Sequence, residues 1–202
     1  MQVWRRKLSG ERKELVIVAG ANGTGKTTVA LEYVAQHGVA YLGADAIAET
    51  LSPGSALSAR FQAGRQFVVM VNDRLRGSNS FVIETTLSGI GIRRTLEKAR
   101  RSQFAISIVY LYLDSPAVCI SRIEERVRKG GHHVPDEDVR RRYSRSIWNF
   151  WRVYREMAEN WVVMYNATEQ VQDVVAGSHA QFTVRDKTLF ADFFKLIEAS
   201  KE

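Results

Sequence analysis

One short run, Gly20-Ala21-Asn22-Gly23-Thr24-Gly25-Lys26-Thr27, limits what this chain can fold into more than anything else in it. It fits the pattern G-x-x-x-x-G-K-[ST], which carries meaning only between a buried strand and a helix. Leu15 to Ala19 is a continuous apolar run with β-branched residues and reads as a strand covered on both faces. Lys26 to Gln36 reads as a helix with Val29, Ala30, Tyr33 and Val34 on one face. The context is met, so a phosphate-binding loop is expected. Its glycines let backbone N–H groups turn inward, and the helix N-terminus adds partial positive charge. Lys26 is placed to reach the β- and γ-phosphates, and the Thr27 hydroxyl to ligate Mg²⁺. ATP or GTP with Mg²⁺ is therefore expected against Gly20 through Thr28.

The rest of the chain alternates. Val39 to Leu42 reads as a strand ending at Asp45, and a helix from about Ser55 to Arg76 carries Phe61, Phe67, Val68 and Val71 as its apolar stripe. Phe81 to Ile83 is a third strand, running into Glu84-Thr85-Thr86, and Ile92 to Arg101 a short helix. Phe104 to Leu113 is the longest strand. Ser115 and Pro116 then suit the N-cap and first position of a helix that ends at Gly130-Gly131. A helix from Pro135 to about Asn160, a strand from Trp161 to Tyr165, a hairpin over 171–185 turning at Gly177-Ser178, and a closing helix over 187–197 follow. This order predicts an α/β P-loop NTPase fold, with a mostly parallel central sheet flanked by helices.

With 202 residues the chain suits a single domain over 1–202, with a flexible basic arm over 1–13 and an inserted helical lid over about 122–145. The formal net charge of +7 favours anionic partners without choosing among them. The single cysteine, Cys119, leaves no internal disulfide and points to a reducing compartment; inside a helix it reads as core. Arg5, Arg6 and Lys7 are followed by no apolar stretch of a signal peptide. No apolar run approaches about 18 residues, so no membrane partner is expected and the default location is cytoplasmic.

Ligands of open α/β sheets bind beyond the carboxyl ends of the strands. Three acids fall there: Asp45, Glu84 and Asp114. A kinase needs one carboxylate to accept or orient the acceptor's hydroxyl proton, and another to help hold Mg²⁺, directly or through water. Asp45 and Glu84 are the candidates, with an N-cap role the alternative for Asp45. Asp114 in Asp-Ser-Pro reads as a turn. Of Arg122, Arg126, Arg128 and Lys129 before Gly130-Gly131, and Arg140, Arg141, Arg142 and Arg145 after it, two or three are expected to reach a γ-phosphate from a closing lid, and the rest to form a solvated basic face of two helices. Arg122 and Arg126 share a helical face. Trp148, Phe150, Trp151 and Tyr154 fit core packing, or base stacking in a nucleic-acid-binding switch; nucleic acid is the less favoured partner.

The loop from Ala19 to Thr28, the Ala44-Asp45 step, Phe81-Val82-Ile83-Glu84-Thr85-Thr86-Leu87-Ser88-Gly89, Arg126-Val127 through Gly130-Gly131-His132 to Val134-Pro135, Arg141-Arg142-Tyr143 and Asn149-Phe150 together resemble the zeta toxin family of P-loop kinases, in its short single-domain form. The resemblance implies an adenylate-kinase-like sheet and ATP-dependent phosphorylation of a small hydroxylated acceptor. In the best-known members that acceptor is a UDP-N-acetyl amino sugar, and an antitoxin protein is the implied partner. Carried over by position, Lys26 and Thr27 would hold phosphate and Mg²⁺, Asp45 would be the catalytic base, Glu84 with Thr85 would position acceptor or metal, and Arg126 would bind the γ-phosphate. The toxin pattern has a second lid arginine. His132 stands in the aligned region here, and Arg141 or Arg142 would have to take its place.

Overall fold

The structure is a computed structural model and describes residues 12–52, 56–167 and 170–201. Most of the basic arm expected over 1–13 lies outside the described residues, as does Ser55, the expected start of the third helix. A seven-stranded sheet runs in the order β2-β3-β1-β4-β5-β6-β7. Its parallel part comprises β1 (Glu14–Ala19), β2 (Ala40–Gly43), β3 (Phe81–Thr85), β4 (Ala105–Tyr112) and β5 (Asn160–Tyr165). The antiparallel extension comprises β6 (Gln172–Ser178) and β7 (Gln181–Val184). The helices are α1 (Lys26–His37), α2 (Ala44–Leu51), α3 (Ala56–Arg76), α4 (Ile92–Arg101), α5 (Pro116–Arg128), α6 (Asp136–Asn149) and α7 (Lys187–Ala199). The α/β P-loop fold expected from the alternating pattern is therefore the fold observed.

Strand residues alternate between two cores, as a pleated strand requires. Leu15, Ile17, Phe81, Ile83, Tyr110 and Tyr112 pack on one face with Leu96, Phe150, Trp161 and Phe193. Val16, Val18, Val82, Val109, Leu111 and Val162 pack on the other with Val29, Ala30 and Tyr33 of α1. Both faces are covered, which is why β1 from Leu15 and β4 apart from Ser107 read as apolar runs. Phe150, Trp151 and Tyr154 are buried, and Trp148 packs against the same core. Trp151 meets the Trp161 and Phe193 rings edge to face, and the Arg155 guanidinium lies 4.1 Å from the Trp151 centroid. Cys119 is fully buried, and burial pushes its thiol up to about 11.

Four elements depart from the sequence reading. The second strand stops at Gly43, and α2 begins at once. The stripe of α3 that packs inward is Ala63, Phe67, Val71 and Leu75, whereas Phe61 and Val68 are 75% and 52% exposed. The long helix expected from 135 to 160 is α-helical only to Asn149. It then widens into a π-helical turn, Phe150–Tyr154, and tightens into a 3-10 turn, Arg155–Met157. The hairpin reverses at His179 and Ala180, past Gly177-Ser178, with His179 at φ 49°. Ser115 caps α5 as expected, accepting from the Val118 N–H at 3.4 Å, with Pro116 at the first position.

Candidate active site

Strand register assembles the site. Glu84 of β3 lies between Val18 of β1 and Gly43 of β2, so the strand that feeds the loop and the strand that feeds α2 both end beside it. The loop is wedged in place. A Cβ on Gly20, whose φ is +141°, would lie 2.2 Å from the Leu111 carbonyl oxygen. One on Gly23, at φ +86°, would lie 2.5 Å from that of Cys119. Gly20→Ala is expected to cost about 2 kcal/mol or more from backbone strain, lowering the melting temperature by about 4–8 °C. An unchanged melting curve would show that the loop is not wedged. Thr24 closes the turn by donating to the Ala21 carbonyl at 2.9 Å. Asn166, just past β5, braces it from outside by donating to the Thr24 carbonyl at 2.8 Å.

Lys26 opens α1 and is buried, with 6% of its side chain exposed. Its Nζ donates to the Ala21 carbonyl at 2.8 Å and stands 3.8 Å from Glu84 Oε1. Burial depresses the ammonium's pKa, and the Glu84 and Asp45 carboxylates oppose that. Glu84 Oε2 accepts from the Thr27 hydroxyl at 2.9 Å and from the Tyr41 hydroxyl at 2.7 Å. Tyr41 was not a site candidate from sequence, where a tyrosine in an apolar strand reads as ordinary strand composition.

These groups line one cavity of about 610 Å³ with Asn22, Asp45, Arg122, Arg126 and His132. Asp45 is not the helix cap of the alternative reading. Gly43 holds that position, with no side-chain cap, and Asp45 lies in the first turn of α2. Its Oδ2 is 3.5 Å from His132 Nε2. The segment between α5 and α6 lines the cavity through Gly130, Gly131 and His132. There Arg126 Nη2 donates to the His132 carbonyl at 2.9 Å, and His132 Nε2 lies 3.5 Å from the same nitrogen. Gly131 is needed for this packing, since a Cβ there would fall 2.6 Å from Arg126 Cγ. Arg126 Nε is buried with no hydrogen-bond partner among the described residues. Arg142 Nη1 donates to the side chain of Asn22 in the loop at 3.2 Å, while Arg141 lies outward on Asp138.

Not every candidate converges. Gly20, Ala21 and Thr24 stand behind the cavity wall and shape the loop. The Thr85 hydroxyl accepts from the Leu87 N–H at 3.2 Å and lies outside the lining. Asp114 accepts from the Tyr165 hydroxyl, 2.9 Å from both carboxylate oxygens, and lies outside the cavity lining.

The donor set suits a hard divalent cation beside a polyphosphate. A hydroxyl and a carboxylate lie together next to a buried ammonium and an inward-turned, glycine-rich backbone.

The family model described as AAA domain (AAA_33) matches residues 15–146, and the chain belongs to that family. An uncharacterized protein of Haemophilus influenzae is 29% identical over 140 residues, covering 69% of this chain and 99% of its own. Among solved structures, an AvrRxo1-ORF1:-ORF2 complex with ATP superposes with a TM-score of 0.68 at 15% identity. That match covers 92% of this chain, but the chain spans only 64% of the length of its counterpart. A structure from the PezAT chromosomal toxin-antitoxin system of Streptococcus pneumoniae superposes with a TM-score of 0.60 at 13% identity, covering 98% and 91%. At these identities the likeness is one of fold.

Proposed function

We propose that this protein is a kinase that transfers the γ-phosphoryl group of ATP, or of GTP, to a hydroxyl of a small acceptor. One observation carries the reading: Lys26, Thr27 and Glu84 line the same cavity as Asp45 and Arg126. In this reading Lys26 and the loop from Gly20 to Thr28 bind and orient the phosphates. Thr27, with Glu84 directly or through water, holds Mg²⁺. The ion, when bound, screens charge on the phosphate oxygens. Asp45 takes the proton from the acceptor hydroxyl, whose oxygen bonds to the γ-phosphorus as the bond to the β–γ bridging oxygen breaks. Arg126 stabilises the negative charge spread over the transferring group. Arg142, which reaches Asn22, is the better placed of the two candidate second arginines.

We further read the chain as a single zeta-toxin-like domain, cytoplasmic, with residues 122–145 as its lid. Its acceptor would be a UDP-N-acetyl amino sugar or a related hydroxylated metabolite, and an antitoxin protein its partner. The neighbours solved as two-component complexes support that partner by analogy of fold. Incubation with ATP, Mg²⁺ and a panel of hydroxylated metabolites that includes UDP-N-acetylglucosamine, read by mass spectrometry, tests the reading. The expected result is an added phosphoryl group on one acceptor. ATP consumption that no acceptor stimulates would overturn it.

The lid role of Arg126 has a built-in control. Arg126→Ala is expected to slow transfer by roughly 10²-fold or more, with a smaller loss of nucleotide affinity, because the contact strengthens in the transition state. Arg128 is exposed and turned about 160° away around the helix, so Arg128→Ala should stay within about twofold of wild type. Equal turnover in the two variants would remove Arg126 from the mechanism.

A further inference from the structure

Glu84 is held from two sides. The Thr27 hydroxyl reaches its Oε2 from the loop, and the Tyr41 hydroxyl reaches the same oxygen from β2 at 2.7 Å. Tyr41 and Gly43 are two residues apart on one strand and so project to one face. The ring can lie along the strand toward Glu84 because residue 43 has no side chain. A Cβ there would sit 2.3 Å from the Tyr41 oxygen. Glu84 in turn faces residue 43 across the sheet.

We propose that Tyr41 is a positioning residue for Glu84: by occupying Oε2 together with Thr27, it fixes the carboxylate with Oε1 toward Lys26 and the phosphate end of the cavity. The inference rests on the reading of Glu84 as part of the magnesium site. Hydrogen bonds to an ionised acceptor are the strong ones, and two on one oxygen leave the carboxylate little freedom to rotate. Without the Tyr41 donor only Thr27 holds Oε2, and the carboxylate can close the remaining gap of 3.8 Å between Oε1 and Lys26. A tighter pair there would draw both the carboxylate from the metal and the ammonium from phosphate. Outer-shell donors of this kind tune metal affinity strongly in other sites.

The test is Mg²⁺-dependent binding of a fluorescent nucleotide, N-methylanthraniloyl-ATP, to the full chain. Tyr41→Phe keeps the ring and removes only the hydroxyl. It is expected to raise the Mg²⁺ midpoint about tenfold and to leave binding in EDTA within about twofold of wild type. Gly43→Ala is expected to do the same with Tyr41 intact, by pushing its hydroxyl aside, and it decides the matter if Tyr41→Phe fails to fold. A folded Tyr41→Phe protein with the wild-type Mg²⁺ midpoint overturns the proposal. So does an equal loss with and without Mg²⁺, which is what a merely structural residue would give. Wild-type binding that ignores Mg²⁺ overturns it as well. Because the readout is binding, failure to find any acceptor would sink the kinase reading and leave this result standing.

Discussion

Lys26→Ala is expected to leave the protein folded and to reduce phosphoryl transfer by about 10³-fold or more. The two halves of that expectation have different origins. Lys26 is a buried cation whose nearest carboxylate is 3.8 Å away, so it contributes little to stability. Glu84 keeps Thr27 and Tyr41 as donors when the lysine is gone. Melting temperature should therefore move by only a few degrees. Turnover is different, because Lys26 is the cation that the first turn of α1 carries to the phosphate loop. Melting curves and transfer rates measured on the same preparation check both halves. Turnover equal to wild type would overturn the proposed function at its root.

Asp45→Asn should lower acceptor phosphorylation by roughly 10²–10⁴-fold with little change in nucleotide binding or stability. The structure sharpens this test. Gly43 stands at the cap of α2, so the substitution leaves that cap untouched. Asparagine keeps the size and can still accept from His132, but it cannot take a proton from a hydroxyl. The favourable charge of Asp45 in the first turn is lost, at a cost of about 0.3–1 kcal/mol. Transfer kinetics with a found acceptor, beside thermal melts, separate the roles. A variant with wild-type kcat would leave Asp45 as a surface acid of α2.

The phosphate loop, β1, β3 and β4 were legible in the sequence because strands buried on both faces leave nearly continuous apolar runs, interrupted in β4 only by Ser107 and ended in β3 by Glu84. Glu84 was legible for a related reason: a carboxylate after Phe81, Val82 and Ile83 has no packing use. α2 was not, because Ala44–Leu51 is eight residues long and lacks a capping side chain. Such a helix is held by packing against its neighbour more than by propensity. Phe61 and Val68 fit helical spacing as well as Phe67 and Val71 do; only the position of the sheet decides which stripe turns inward. Tyr41 and Asn166 reach the loop through tertiary contacts that no local pattern encodes. The hairpin reversed at His179 although Gly177-Ser178 is the stronger turn signal. Gly177 is instead kept free of a side chain by the Trp161 ring and the Gln181 carbonyl, which would meet a Cβ at 2.6 and 2.1 Å.

The second half of α6 is riveted. The Tyr143 hydroxyl donates to the Leu113 carbonyl at 2.6 Å, and Ser146 bonds the Tyr110 hydroxyl at 2.9 Å. Asn149 donates to the Leu87 carbonyl at 2.8 Å, and beyond the π-helical turn Tyr154 donates to that of Gly89 at 2.6 Å. In the proposed lid, the lever beyond these bonds runs only from Asp136 to Tyr143, about 10 Å at 1.5 Å per residue, and it is itself anchored by the buried Val139 and by Arg142 on Asn22. A 10° rotation carries its tip by only about 2 Å on that length. For the proposed lid, small travel would mean little chain to freeze on closing, and correspondingly little binding energy spent on it. For the proposed kinase it would also mean coarse gating: an acceptor would have to fit already between α2 and the α5–α6 segment, because such a lid could not open wide to admit one that does not.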